Sequence, residues 1–63
     1  MKCKLPVILA ERKIKQKWLC ERVGLSTSAM SQIVRGESLP TLPTAIRIAK
    51  VLDLKVEDIW QEE

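Results

Sequence analysis

The 63-residue sequence contains no histidine, tyrosine or phenylalanine, and it has two cysteines. Structural zinc sites take their four ligands mainly from cysteine and histidine, so one chain cannot assemble such a site here. We therefore expect no metal and no cofactor. Cys3 lies in a basic N-terminal segment and Cys20 at a core position of a predicted helix. We expect both to be reduced thiols of a cytoplasmic protein, with a disulfide as the alternative.

The sequence also lacks long apolar runs. No segment approaches the roughly 20 apolar residues of a membrane span, and residues 6–10 are too short for the apolar core of a signal peptide. A glycine-rich phosphate loop and a convergent carboxylate pair are missing as well, which argues against an enzyme. The length predicts a single domain, residues 1–63, and a domain this small commonly gains stability by associating with a second copy.

The cations are concentrated in the first half of the chain. The net charge is +3, but residues 1–36 carry +6 and residues 37–63 carry −3. This polarity is typical of a protein that presents its N-terminal half to a polyanion. The alternative is a solvated basic surface without a partner, and charge alone does not separate the two.

Residues 16–36 have the pattern of two helices joined by a tight turn. Apolar residues recur at helical spacing up to Val23, and a second helical pattern restarts at Met30. Between them, Gly24 suits the left-handed conformation that ends a helix, and the hydroxyl of Ser26 suits the N-cap of the next. Gly36 then marks the end of the second helix.

This segment resembles the helix-turn-helix of the phage repressor/Cro-type (XRE) family of transcriptional regulators. The resemblance rests on twelve positions in register: Gln16, Leu19, Cys20, Gly24, Leu25, Ser26, Ser28, Met30, Ser31, Ile33, Arg35 and Gly36. Downstream, residues 40–44, the run AIRIAKVLDL and the run VEDIW are similar to the family's fourth and fifth helices. The resemblance implies an all-α, five-helix, lambda-repressor-like fold in which helices 2 and 3 form the helix-turn-helix. Residues 1–5 precede it as an N-terminal arm or a short strand.

The sequence departs from the family pattern at two places. Family members often carry an arginine at the position of Leu9 and an acid at that of Val34. Because both are apolar here, we predict that the two side chains touch. At the start of helix 2, Lys15 replaces the usual capping hydroxyl and Trp18 replaces an acid. We expect Trp18 to pack across helix 1 or the N-terminal arm, with a DNA or partner contact as the alternative.

The outward face of helix 3 carries hydroxyls and an amide. Glutamine can bind adenine through two hydrogen bonds, and serine and threonine can bind several base edges. The resemblance places Thr27, Ser28 and Gln32 at the family's base-contacting positions, with Ser31 able to contact a base or a phosphate.

Candidate phosphate contacts surround this face. The resemblance assigns Gln16 to a phosphate at the start of helix 2, and the flanking cations and a loop serine extend the set. The alternative for Ser38 is that it is an ordinary loop residue without a DNA contact. The other candidates are Lys13, Lys15, Lys17, Arg35 and Ser38.

The last third of the chain is expected to close the core. Thr41 should cap helix 4, whose inward stripe is predicted as Leu42, Ala45, Ile48, Ala49 and Leu52. A final helix over residues 56–61 carries Ile59 and Trp60. Because so small a domain is not expected to cover both side chains, we interpret them as a candidate dimer interface. The alternative is that Trp60 closes the core from below.

These patterns together predict a sequence-specific, double-stranded DNA-binding protein. The resemblance implies a small transcriptional regulator, more typically a repressor, that reads the major groove with helix 3. We expect a homodimer on a palindromic operator. The alternatives are a DNA-binding antitoxin with a protein partner and a helical interaction adaptor.

Overall fold

Five helices and a two-stranded antiparallel ribbon form the regular structure of residues 1–62, which a computed structural model describes. The elements are β1 Lys2–Cys3, α1 Leu5–Arg12, α2 Gln16–Val23, α3 Thr27–Val34, α4 Leu42–Val51, α5 Val56–Ile59 and β2 Trp60–Gln61. The five-helix prediction is confirmed, and the arm of residues 1–5 contains a short strand. No helix within residues 1–62 combines the length and the apolar character that crossing a membrane requires.

The helix-turn-helix has the predicted geometry. Gly24 adopts φ 86°, and the N–H groups of Gly24 and Leu25 donate to the carbonyl of Cys20 at 2.8 and 3.0 Å. The hydroxyl of Ser26 then accepts from the N–H of Ala29 at 3.1 Å. A glycine end and a serine cap therefore fix the angle between α2 and α3.

Two other helices end on residues that rarely adopt a left-handed conformation. Lys13 after α1 has φ 56° and Asp53 after α4 has φ 57°. In each case the next residue closes the helix end. The N–H of Ile14 donates to the carbonyl of Leu9 at 2.9 Å, and the N–H of Leu54 donates to the carbonyl of Ala49 at 2.8 Å. These bonds satisfy carbonyls that the helix ends would otherwise leave open.

The core lies between all five helices and contains only apolar residues among those described. Leu9 and Val34 are both buried in it. Ile14 is half-buried against the same core. Cys3 and Cys20 are free thiols, and Cys20 is buried. The largest fully buried side chains are Leu5, Leu19, Met30, Ile48, Leu52 and Ile59.

The start of α4 differs from its prediction in two respects. Leu42 is 68% exposed instead of lying in the inward stripe. The stripe packs on α2 and α5, and this packing leaves Leu42 uncovered. Thr41 is the N-cap by position, but its hydroxyl donates to the hydroxyl of Thr44 at 3.1 Å and makes no cap hydrogen bond.

The C-terminal segment differs most from its prediction. The last helix ends at Ile59 instead of residue 61, because Trp60 is extended and pairs with Cys3 while Gln61 pairs with Lys2. The N–H of Lys4 also donates to the carbonyl of Ile59 at 2.8 Å. This strand covers the apolar end of the molecule, so Ile59 and Trp60 are 0% and 5% exposed. The predicted exposed patch at these two residues is therefore wrong.

Candidate nucleic-acid interface

Helix α3 presents an uncharged polar face to solvent. Burial of its other side, through Met30, Ile33 and Val34, fixes the rotation of the helix about its axis. Thr27, Ser28 and Gln32 are consequently exposed, and Ser31 is half-buried. Sequence reasoning placed these four residues on one outward surface, and the structure brings them together there.

The chemistry of this face suits hydrogen bonding to base edges. Thr27 and Ser28 occupy the first turn of α3, where side chains reach furthest when a helix enters a groove end-on. Gln32 follows Ser28 by four residues, so it lies one turn further along the same face. The eight residues of α3 carry no charge, and the face therefore offers donors and acceptors without a fixed electrostatic preference.

Cations surround the start of α2. Lys13, Lys15 and Lys17 are exposed, while Gln16 is half-buried. Lys15 is the N-cap residue, and its side chain makes no cap hydrogen bond. The first N–H groups of α2 are thus left to an external acceptor, and the positive end of the helix adds to the three ammonium groups.

The loop after α3 holds an ion pair that sequence reasoning did not find. Arg35 Nη2 lies 3.4 Å from Glu37 Oε1, with both side chains more than half exposed. Ser38 is exposed, and its N–H donates to the carbonyl of Gln32 at 3.3 Å. Arg35 is therefore exposed, but a neighbouring carboxylate partly neutralises its charge.

Trp18 is partly exposed, and its packing across α1 or the N-terminal arm stays a prediction. Its ring is 41% exposed and lies against the guanidinium of Arg22, whose carbon is 5.0 Å from the ring centroid. The two residues are four apart on α2, which places them on one face. Trp18 also borders a shallow cavity of about 320 Å³ together with Lys13, Ile14 and Lys15. The spacing of Trp18 and Arg22 was the available signal for their contact.

Residues 1–62 contain no cluster of three or more cysteine, aspartate or glutamate side chains that could hold a metal ion. The candidate surface is instead a polar helix face flanked by cations, next to a helix end with free N–H groups. A tight two-helix unit that presents such a face defines a helix-turn-helix protein of the DNA-binding class.

Comparison with known proteins agrees with this class. The sequence profile of the Cro/C1-type HTH DNA-binding domain matches residues 4–61, and the chain belongs to this family. It is 34% identical over 64 residues to YgzD of Bacillus subtilis (strain 168), an uncharacterized HTH-type transcriptional regulator. That match covers 100% of this chain and 97% of the relative.

A second relative comes from an archaeon. The chain is 35% identical over 60 residues to MJ0272 of Methanocaldococcus jannaschii, also an uncharacterized HTH-type transcriptional regulator. Here the match covers 95% of this chain and 91% of the relative. Both relatives therefore have nearly the same length as this chain, without a large additional domain in either.

Proposed function

We propose that the protein is a sequence-specific transcriptional regulator that inserts α3 into the major groove of double-stranded DNA. The observation that carries the proposal is the uncharged polar face of α3 between exposed cations. Both relatives bear the name of transcriptional regulators, and the family is a DNA-binding domain. We infer that it acts in the cytoplasm by occupying its binding site, without an enzymatic step.

The residues divide into two roles. Base edges are read from α3, where Gln32 supplies both a donor and an acceptor and the hydroxyls of Thr27, Ser28 and Ser31 adapt to either. Backbone phosphates are bound by the surrounding groups, which position the helix without reading sequence. These groups are Gln16, Lys13, Lys15, Lys17, Arg35 and Ser38.

Repression by a homodimer on a palindromic operator completes the proposal. A protein that covers DNA without a further activity acts most simply by blocking other proteins, and two-fold symmetry matches two half-sites. The alternative of an adaptor or antitoxin that binds a partner through Ile59 and Trp60 is weakened, because both side chains are buried in the chain itself.

Selection of binding sites from random duplexes tests the proposal. The wild-type protein should enrich a palindromic motif, with an affinity that falls steeply as salt rises. Gln32→Ala should lose the preference at one base position in each half-site, a loss of about 1 to 3 kcal/mol in discrimination. Gln61→Ala, the same substitution on the ribbon, is the control. Absence of any enriched motif at low and at high salt would contradict the proposal.

A further inference from the structure

The ring of Trp18 is exposed near the N-terminal end of α2. Trp18 is the third residue of that helix, and the side chains of an α-helix lean toward its N-terminus. The ring accordingly borders the shallow cavity that Lys13, Ile14 and Lys15 also line. The lining thus combines two apolar side chains, Trp18 and Ile14, with two that end in ammonium groups.

The guanidinium of Arg22 contacts the ring from one turn further along α2. Its carbon lies 5.0 Å from the ring centroid, a distance at which a cation is attracted to the face of an indole. This attraction favours one orientation of the Trp18 side chain. A partner that packs against the ring therefore costs little additional side-chain entropy.

We propose that Trp18 packs its ring against a deoxyribose of the DNA backbone, beside the phosphate that the start of α2 binds. This inference rests on the proposed function, which assigns Gln16, Lys13 and Lys15 to phosphates. Each phosphate of a DNA strand joins two sugars, so a phosphate at the end of α2 brings a sugar close to the ring. The carbon-bound hydrogens of a sugar suit the indole, and the phosphates on either side of it suit the ammonium groups.

Charge and shape favour the DNA backbone as the occupant of this cavity. Lys13, Lys15, Lys17 and Arg22 are all exposed around Trp18, and a polyanion pairs these cations whereas an apolar protein surface would bury them without partners. Small molecules are usually held in pockets that enclose most of their surface. A shallow cavity lined with cations instead suits a continuous strand that passes over it.

The proposed contact positions the protein without reading sequence, because every nucleotide of the duplex carries the same sugar. It also differs from a phosphate contact in its response to salt. A phosphate contact releases bound counterions from the DNA, and an uncharged ring on a sugar releases none. Removal of the ring should therefore weaken binding without changing the salt slope, unlike removal of a lysine.

The first test measures the affinity of Trp18 variants for a duplex with the selected motif. Trp18→Ala should bind about fivefold more weakly, which corresponds to about 1 kcal/mol, with an unchanged motif and an unchanged salt slope. Trp18→Phe keeps an aromatic ring and should bind within about twofold of wild type. Val7→Ala is the control, since it truncates a side chain that is 56% exposed on α1. Thermal melting checks that all three variants are folded.

The second test follows the ring itself by acrylamide quenching of tryptophan fluorescence. Trp60 is 5% exposed, so the quencher reaches chiefly Trp18 in the wild-type protein. A saturating amount of duplex should reduce the quenching of wild type, whereas Trp18→Phe should show little quenching with or without DNA. Undiminished quenching of the DNA-bound wild type would overturn the proposal. A smaller salt slope in Trp18→Ala, or an affinity equal to that of wild type, would also overturn it.

The anisotropy of a labelled duplex measures binding independently of both tryptophans and separates the two possible failures. If wild type binds no duplex, the proposed function fails and this inference fails with it. If wild type binds the duplex while Trp18 stays accessible to acrylamide, only the sugar contact of Trp18 fails.

Discussion

Arg12 donates a hydrogen bond from Nη1 to the carbonyl oxygen of Leu52 and thereby joins the C-terminal ends of α1 and α4. A cation in this position satisfies an open carbonyl and lies favourably at the negative end of α4. It also removes Arg12 from the group of cations available to DNA. The arginine therefore stabilises the fold although its side chain lies at the surface.

We expect Arg12→Met to lower the free energy of unfolding by about 1 kcal/mol, because the carbonyl loses a charged donor while the aliphatic packing remains. In a domain of this size the loss lowers the Tm by about 5 °C. Arg47 is exposed on α4, and Arg47→Met should change the Tm by much less. Equal Tm values for the two variants would contradict the role of Arg12, and thermal denaturation measures them.

Glu37→Gln should raise DNA affinity. The substitution removes a carboxylate from the loop after α3 and releases Arg35 from the ion pair. If Arg35 then engages a phosphate, the slope of log affinity against log salt steepens by up to about 0.9. Glu57→Gln on α5 is the control and should leave both quantities unchanged. An unchanged affinity together with an unchanged slope in Glu37→Gln would contradict the prediction that the ion pair limits DNA binding by Arg35.

Lys17→Ala should weaken binding to all duplexes alike. Because phosphate contacts carry no sequence information, the selected motif should persist while the salt slope falls by about 0.9. Lys50→Ala on α4 changes the net charge by the same amount at a position outside the proposed interface. Fluorescence titrations at several salt concentrations measure the salt slope of each variant. Equal slopes for Lys17→Ala and Lys50→Ala would contradict the assignment of Lys17 to a phosphate contact.

Asp53→Asn should stabilise the protein. Asparagine tolerates the left-handed conformation of position 53, and the substitution removes a negative charge from the C-terminal end of α4. The expected gain is about 0.5 kcal/mol. Asp58→Asn is the same change at the opposite end of a helix, where Asp58 Oδ2 accepts from the N–H of Lys55 at 3.0 Å. Asp58→Asn should lower the free energy of unfolding, because it weakens this hydrogen bond. Denaturant titration measures the free energy of unfolding of both variants.

Local chemistry made the helix-turn-helix predictable from sequence. Gly24 and Ser26 act within a few residues of themselves, so their roles depend little on the rest of the fold. The left-handed residues Lys13 and Asp53 were not predictable in this way. Lysine rarely adopts that conformation and aspartate does so only occasionally, so the residue type alone does not identify these two positions.

Burial at the edges of the core was the part that periodicity could not predict. The spacing of Leu42 is the same as that of a buried residue, but spacing does not tell which turn of a helix its neighbours cover. Conversely, Trp60 is covered by a strand from the other end of the sequence. The outward face of α3 was predictable because its inward side has a strong apolar pattern, which leaves only one orientation for the polar residues.

The pairing of Lys2–Cys3 with Trp60–Gln61 has a consequence for how the protein folds. The helices form from neighbouring residues, whereas this ribbon closes a loop that includes nearly the whole chain, and such distant contacts cost the most loop entropy. We therefore expect the ribbon to form last. During synthesis residues 16–36 leave the ribosome before residue 60 does, so the ribbon can close only after the segment that forms the helix-turn-helix has emerged.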